Sequence, residues 1–419
     1  VPIYEPGLDP LIAKNVASGR LRFTTDISAA VAASRVIFIA VHTPPVEDGS
    51  ADLQHVLAAA ESIARHMTDY KVIVNKSTVP IGTGRKVQSV VRRELTRRGL
   101  NTEFDVVSNP EFLREGTAVR DFMHPDRVVI GGDNDKSREI IRELYNVLYL
   151  IETPFIFTSI ETAELVKYAS NAFLATKIAF INEVANLCDA VGADVRDIAK
   201  AMGMDGRIGK YFLHPGPGYG GSCLPKDTKA LVKIGQEHGT RMSIVDAVVR
   251  ANESQKHHMV EKIETRMAGL EGKIVAVLGL AFKQGTDDVR EASSMPIVRG
   301  LIDKGARVKV FDPVAMENAR KHSFAGIPGV DSSRLDELAE GTFAVGPYRI
   351  MYCSDEYDAI EGADAVVILT EWNQFRHLDL PRMALSMRGR SFFDFRNIYE
   401  PGDVKSAGFD YEGIGRPKP

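Results

Sequence analysis

Short β-branched runs alternate with stretches of helical spacing twice along this chain, and that rhythm leaves few folds open to it. Between Arg20 and Gly132 the runs VIFIAV, KVIVNK, FDVVSN and DRVVIGG are separated by helical stretches at 52–67 and 84–98. Strand, helix and strand in succession read as a parallel sheet covered by helices. At Gly272 the rhythm starts again: GKIVAVLGLAF reads as strand and turn, MPIVRGLIDKGA as helix, and RVKVFDP as a second strand. The segment 356–375 then echoes 27–45, each giving a helix, a small-residue turn, a buried strand and a polar loop. Two related α/β domains are expected.

The sequence between them is helical. Residues 159–187 contain neither Gly nor Pro, enough for about 45 Å of continuous helix at 1.5 Å per residue. A rod of that length usually bridges domains or subunits. The expected architecture is α/β: two Rossmann-like, doubly wound parallel-sheet domains, 1–157 and 269–419, joined by a long central helix and a helical dimerisation region, 158–268. That middle region carries a Gly/Pro loop at 214–227. If the two halves are duplicates, the first should open with a strand, a Gly-rich turn and a helix, as the second does at 272–305. It opens instead at Val1, not Met, on VPIYEPGLDPLI. The expectation is that roughly 30 residues or more, including a GxGxxG loop and a ribose-binding acid, precede residue 1 and leave the first domain N-terminally incomplete.

Composition narrows the function classes. The 52 Lys and Arg against 56 Asp and Glu, for a net charge of -4, argue for neither a nucleic-acid footprint nor an anionic membrane surface. Apolar runs such as 36–41 fall far short of the ~20 residues of a membrane helix, and no charged-then-apolar leader opens the chain. Three cysteines, Cys188, Cys223 and Cys353, without a CxxC pair suit a reducing compartment, and a cytoplasmic location is expected. The ten histidines lack metal-site spacing, so no catalytic metal is expected.

The strongest local signal is Gly218-Tyr219-Gly220-Gly221-Ser222-Cys223-Leu224-Pro225-Lys226-Asp227. Glycines let backbone approach a ligand closely, and a cysteine just beyond them could reach a bound carbonyl carbon. Lys226 and nearby N–H groups would favour the thiolate, and Asp227 could hold a water or a proton. Alone, such a cysteine is more often inert and buried. Lys167 and Asn171, and likewise Glu111 and Glu115, stand four apart; taken alone, the first pair reads as an exposed polar stripe and the second as solvated helix charges. Thr43 and Pro44 follow the strand VIFIAV, and Ser77 and Thr78 follow KVIVNK, where open α/β sheets place ligands.

With NPEFLREG at 109–116, KYASNAFLATK at 167–177, KSTVPIGT at 76–83, RIGKYFL at 207–213 and GLAFKQGTDDVRE at 279–291, the cysteine loop resembles the UDP-glucose/GDP-mannose dehydrogenase family of nucleotide-sugar 6-dehydrogenases. The resemblance runs from Val1 to about Arg416. It implies oxidation of a primary alcohol to a carboxylate with two NAD. Cys223 is then the nucleophile that forms a thiohemiacetal and a thioester, and Lys167 and Asn171 hold the oxyanion. Glu111, paired with Thr78, is the base on the hydrolytic water, and Asp227 positions water. Through the same resemblance the backbone of Phe112, Leu113 and Arg114, the loop from Phe212 and Leu213 to Gly220, and Lys283 and Arg396 grip the nucleotide sugar.

Glu115 helps hold sugar and cofactor, while Lys226 and Arg290 join Thr43, Pro44, Ser77 and Thr78 around NAD in a cleft between domains. Arg207 resembles an arginine that reaches the neighbouring subunit's site, implying a homodimer or larger homo-oligomer; a surface arginine near a helix end is its plain alternative. UDP-glucose is the favoured substrate on HPGPGYGGSC and HPDRVVIGG, with GDP-mannose and UDP-N-acetylmannosamine as alternatives. A non-catalytic nucleotide-sugar-binding oligomer is the reading from another class. Two departures stand out: His42 precedes TPP where a small residue is usual, and Phe395 replaces a usual Gly beside Arg396.

Overall fold

The structure, a computed structural model, describes residues 3–44, 46, 51–148, 154–322 and 350–417. The opening Val1 and Pro2, and Pro45 of the TPP turn, lie outside the described residues. The chain forms two compact units, the first made of Val1–Ala172 and Lys226–Ser243, the second of Phe173–Pro225 and Ile244–Pro419.

The first unit runs through α1 (Leu8–Ala17), α2 (Ile27–Ala33), β1 (Val36–Ile39), α3 (Gln54–His66), β2 (Lys71–Asn75), α4 (Thr83–Arg97), β3 (Phe104–Ser108), α5 (Ala118–Met123), β4 (Val128–Gly131), α6 (Asp135–Asn146) and β5 (Phe155–Thr158). Its sheet has the order β1-β2-β3-β4-β5. Strand β2 is buried at every residue, as a strand covered on both faces must be. The two-residue alternation of a strand sends Ile73 towards the cluster containing Val56, Ala60, Val87 and Val91, and Val72 and Val74 towards Ile140, Ile141 and Tyr145. The expected wholly parallel sheet needs one correction: β3 and β4 run antiparallel, meeting at Ser108 and Gly131. The link between them carries only the six-residue α5, and a chain that turns straight back needs no crossover helix.

Helix α7 (Ile160–Val191) is 32 residues long and begins in the first unit. The absence of Gly and Pro predicts the uninterrupted rod, which continues four residues past the expected Leu187. Within the first unit, the Glu164 carboxylate on α7 accepts from the N–H groups of Gly82 (2.6 Å) and Gly84 (2.7 Å), which open α4. It thereby satisfies two of the donors that a helix start leaves free.

After α8 (Val195–Met204), α9 (Leu224–Glu237) and α10 (Ser243–Met267), the second unit builds β6 (Ile274–Leu278), α11 (Ser294–Asp303), β7 (Arg307–Phe311), α12 (Met316–His322), β8 (Ile350–Tyr352), α13 (Glu356–Ile360), β9 (Ala365–Ile368), α14 (Leu380–Ser386), β10 (Ser391–Asp394), α15 (Pro401–Ser406) and β11 (Asp410–Gly413). The sheet order β11-β10-β9-β6-β7-β8, parallel at every pairing, is the doubly wound order. The helix–strand pair α13–β9 repeats α2–β1, as the sequence echo predicts.

Just past β7, the Asp312 carboxylate is 1% exposed and fully engaged. One oxygen accepts from the N–H groups of Leu280 and Ala281 and the indole of Trp372; the other accepts from the N–H groups of Val314 and Ala315. Among the described residues no helix is long and apolar enough to cross a membrane.

Candidate active site

Helix α7 presents Lys167 and Asn171 one turn apart, 3% and 8% exposed, so the exposed polar stripe that their spacing alone suggests is not what forms. Both reach acids of their own unit. Lys167 Nζ lies 2.8 Å from Glu111 Oε1, and Asn171 Nδ2 donates to Asp227 Oδ2 at 2.6 Å. A buried ammonium needs such a partner.

Residues 109–114, which follow β3, are not helical, and Glu111 is not a solvated helix charge. Its second oxygen accepts the Leu113 N–H at 2.6 Å, so the carboxylate is fixed from two sides. Phe112 carries the Arg127 guanidinium over its ring at 3.7 Å and the Lys167 ammonium at 5.6 Å. Arg114 binds Asp121 through both its backbone N–H (3.0 Å) and its guanidinium (2.6 Å). Glu115 is half-buried in the following turn.

Asp227 sits in the first turn of α9, 1% exposed. Burial pushes its carboxyl above the ordinary range, while the charges of Lys226 and Lys167 and the Asn171 bond pull it back. Among the described residues its Oδ1 accepts no hydrogen bond, and the Lys226 ammonium lies 3.7 Å away. A buried acceptor left open in this way is the sort of group a water or a substrate hydroxyl completes.

At the carboxyl ends of β1 and β2 the expected cofactor residues of this unit gather. Lys226 Nζ lies 3.4 Å from Thr43 Oγ1, which donates to the Thr78 carbonyl at 2.9 Å. Ser77 Oγ accepts the Val41 N–H at 2.8 Å, and Pro44 is exposed beside them. The side-chain amide of Asn75, the last residue of β2, is 1% exposed, and among the described residues neither of its polar atoms has a hydrogen-bond partner. An orphaned amide at the ligand-binding end of an open sheet suits a polar cofactor, and these residues fit a dinucleotide.

In the second unit, the glycine loop is sewn down by amide side chains. Asn252 exchanges two hydrogen bonds with the backbone of Tyr219 (2.7 and 3.0 Å), Asn182 accepts the Gly216 N–H at 2.8 Å, and Gln255 donates to the Gly216 carbonyl at 3.1 Å. A Cβ on Gly220 would fall 2.5 Å from the Glu291 carbonyl oxygen, so glycine alone fits there. Phe212 is held at a φ of 64° and Leu213 is buried.

The loop ends at Cys223, half-buried, with Ser222 Oγ 3.5 Å from Sγ, immediately before the first residue of α9. Cys188 and Cys353 are buried, and burial pushes both thiols up, Cys353 to about 12.

Arg396 donates to the carbonyls of Leu369 (2.6 Å) and Phe282 (3.0 Å) and lies 3.2 Å from Glu371. The unusual Phe395 beside it packs into the core, its ring 5.9 Å from that of Phe393. Lys283 lies over the Phe282 ring at 5.3 Å. Arg290 pairs with Asp288 at 2.8 Å, and Arg207 pairs with Asp205 on an exposed turn after α8.

Sequence reasoning missed Asn75, the amide set Asn182, Asn252 and Gln255, and Lys76 with its partners. The signal within reach was a polar or charged residue closing an otherwise apolar strand, as Asn75 and Lys76 close KVIVNK. Among the described residues no group of three or more His, Cys, Asp or Glu is placed to hold a metal ion.

Three family models match the chain: the NAD binding domain of the UDP-glucose/GDP-mannose dehydrogenase family over residues 1–149, its central domain over 161–254 and its UDP binding domain over 276–401. The chain is 49% identical to a UDP-glucose 6-dehydrogenase of Rhizobium meliloti, covering all of this chain and 90% of that protein. It is 45% identical to the UDP-glucose 6-dehydrogenase TuaD of Bacillus subtilis, over 100% of this chain and 84% of that one. The solved structure of a UDP-glucose dehydrogenase from Pyrobaculum islandicum superposes with a TM-score of 0.85 at 39% identity, over 99% of this chain and 88% of that chain.

Proposed function

Because the chain belongs to the UDP-glucose/GDP-mannose dehydrogenase family, we propose that it oxidises the C6 alcohol of UDP-glucose to the carboxylate of UDP-glucuronate, in two NAD-dependent steps, through a thiohemiacetal and a thioester on Cys223. The observation that carries this reading is the paired arrangement on α7, Lys167 with Glu111 and Asn171 with Asp227, in a chain whose half-buried cysteine stands four residues before that aspartate. The substrate preference is supported by the relatives at 45–49% identity, each a UDP-glucose 6-dehydrogenase.

Bound NAD would accept the hydride leaving C6 at each oxidation. Thr43, Pro44, Ser77, Thr78, Glu115 and Lys226 would hold it, with Arg290 contributing from the second unit. Lys167 has three donors and Asn171 two, so each can keep its carboxylate partner and still donate to an oxyanion on C6. The Cys223 sulfur, at a helix start where positive backbone charge favours a thiolate, attacks the aldehyde carbon. Asp227, with one oxygen open, positions a water or takes up a proton. In the last step the carboxylate of Glu111 takes a proton from water as the water oxygen bonds to the thioester carbon; the C–S bond breaks, and Cys223 leaves as thiolate.

The nucleotide diphosphate sugar would be gripped by the 112–114 backbone, the loop from Phe212 to Gly220, and Lys283 and Arg396. The working division is an NAD-binding domain at 1–157, a central domain at 158–268 and a UDP-sugar domain at 269–419. A homodimer, with Arg207 serving the neighbouring site, completes the proposal.

Incubation with NAD and a panel of UDP-glucose, GDP-mannose and UDP-N-acetylmannosamine tests it. Two NADH per UDP-glucose, with carboxylate product, are expected. Turnover with GDP-mannose alone would reject the substrate, and UDP-sugar binding without NADH would favour the non-catalytic binder.

A further inference from the structure

Lys76 directly follows strand β2 in a half-buried position, outside every role assigned above. Its ammonium donates to Asn109 Oδ1 at 3.0 Å and to the Tyr145 hydroxyl at 2.8 Å, and that hydroxyl itself donates to Asn109 Oδ1 at 2.7 Å. The Asn109 amide nitrogen spends its own donor on the Val129 carbonyl at 2.8 Å, and the Asn109 N–H bonds the Asn75 carbonyl at 2.9 Å. Asn109 is therefore held from β2, from α6 and from β4, and only Pro110 separates it from Glu111. Proline has one φ and no N–H, so the orientation set at Asn109 passes to Glu111 with little slack.

We infer that Lys76 is a positioning residue which, through Asn109 and Tyr145, fixes the Glu111 carboxylate for the hydrolytic step. This rests on the proposed thioester chemistry. The position is also electrically exacting. Burial pushes the Lys76 ammonium down to about 8, with the negative charge of Glu111 holding it up and the positive charge of Lys167 pushing it further down. An ammonium held by two polar groups, Asn109 and the Tyr145 hydroxyl, in turn fixes where those groups stand.

Misplacing the base by a fraction of an ångström should slow the step that needs it and leave earlier steps standing. The expected signature is a Cys223-linked acyl adduct that accumulates during turnover, read by intact-protein mass spectrometry after acid quench. Lys76→Met removes both the charge and the donors. It should lower kcat roughly tenfold to a hundredfold, leave KM for UDP-glucose within about twofold, and carry the adduct on most subunits. Lys76→Gln keeps a two-donor amide and guards against a variant that fails to fold. It should show a smaller adduct that no longer changes between pH 7 and pH 9, whereas in the unaltered protein the adduct grows as Lys76 loses its proton around pH 8.

Glu111→Gln is the reference, since the thioester reading requires it to trap the adduct. Adduct in Glu111→Gln but none above the unaltered level in either Lys76 variant would overturn the positioning role alone. No adduct in Glu111→Gln would overturn the reading beneath it. A uniform loss of kcat without adduct in folded Lys76 variants would reduce Lys76 to a scaffold residue and also overturn the proposal.

Discussion

Of the three thiols only that of Cys223 is partly open to solvent, and it alone stands at a helix start, so nucleophilic chemistry, if the chain has it, falls to that atom. Replacing sulfur by a far weaker nucleophile in Cys223→Ser should abolish carboxylate formation while leaving UDP-sugar binding within severalfold, measured by product analysis and calorimetric titration; full activity would end the thioester mechanism. At this scale the sequence was readable where the expected site residues lie close along the chain. Lys167 and Asn171 share a helix face, and Cys223 and Asp227 flank one turn. It was unreadable for Lys76, whose partners lie 33 and 69 positions away and carry no pattern that ties them to it. It was also unreadable for the pairing of Asn171 with Asp227, because 56 positions separate them.

Helices and strands followed the hydrophobic rhythm closely, and α7 was visible as a run free of helix breakers. Two features escaped. The segment 109–115 has i,i+4 acids, Glu111 and Glu115, as a helix would, yet Pro110 and the turning of Glu111 onto the Leu113 N–H prevent one. The antiparallel β3–β4 pairing depends on where the chain returns, which local spacing does not encode.

Between elements, the seating of Glu164 against the start of α4 has a measurable consequence. Burial raises this carboxyl to about 7 from an ordinary 4.5, against the opposing pull of the Gly82 and Gly84 amides and the Arg85 charge, with Glu161 adding to the rise. The native state thus keeps a proton that the unfolded chain has already lost. The resulting stabilisation is fully present below pH 4.5 and is lost as pH rises through about 7, a swing on the order of 3 kcal/mol. Urea unfolding of Glu164→Gln beside the unaltered protein should show the variant gaining relative stability from pH 5 to pH 8. A difference that stays flat across that range would contradict the assignment.

On the scale of the whole molecule, the α7 rod exposes Phe173 (64%), Phe180 (49%), Leu187 (61%) and Val191 (66%). The first three recur every seven residues, the spacing of a helix seam that another helix covers. The proposed homodimer would use this stripe. Phe180→Glu should shift the mass found by light scattering towards the monomer, and an unchanged mass would place any interface elsewhere. The doubling of the α/β plan was legible because both halves repeat the same run of helix, small-residue turn and strand. How each half uses its sheet was not, since that depends on side chains meeting across it.

Asp312 shows the difference. An acid at the tail of the second strand is where a doubly wound sheet ordinarily meets the vicinal hydroxyls of a nucleoside, but here five internal donors have claimed it. That acid is thereby committed to the second unit's own backbone and indole. In the proposed two-step oxidation, served by the one NAD binding domain matched at residues 1–149, spent carrier would depart and fresh carrier arrive midway through each turnover. The proposed covalent tether to the Cys223 sulfur would keep the half-oxidised sugar from escaping during that exchange.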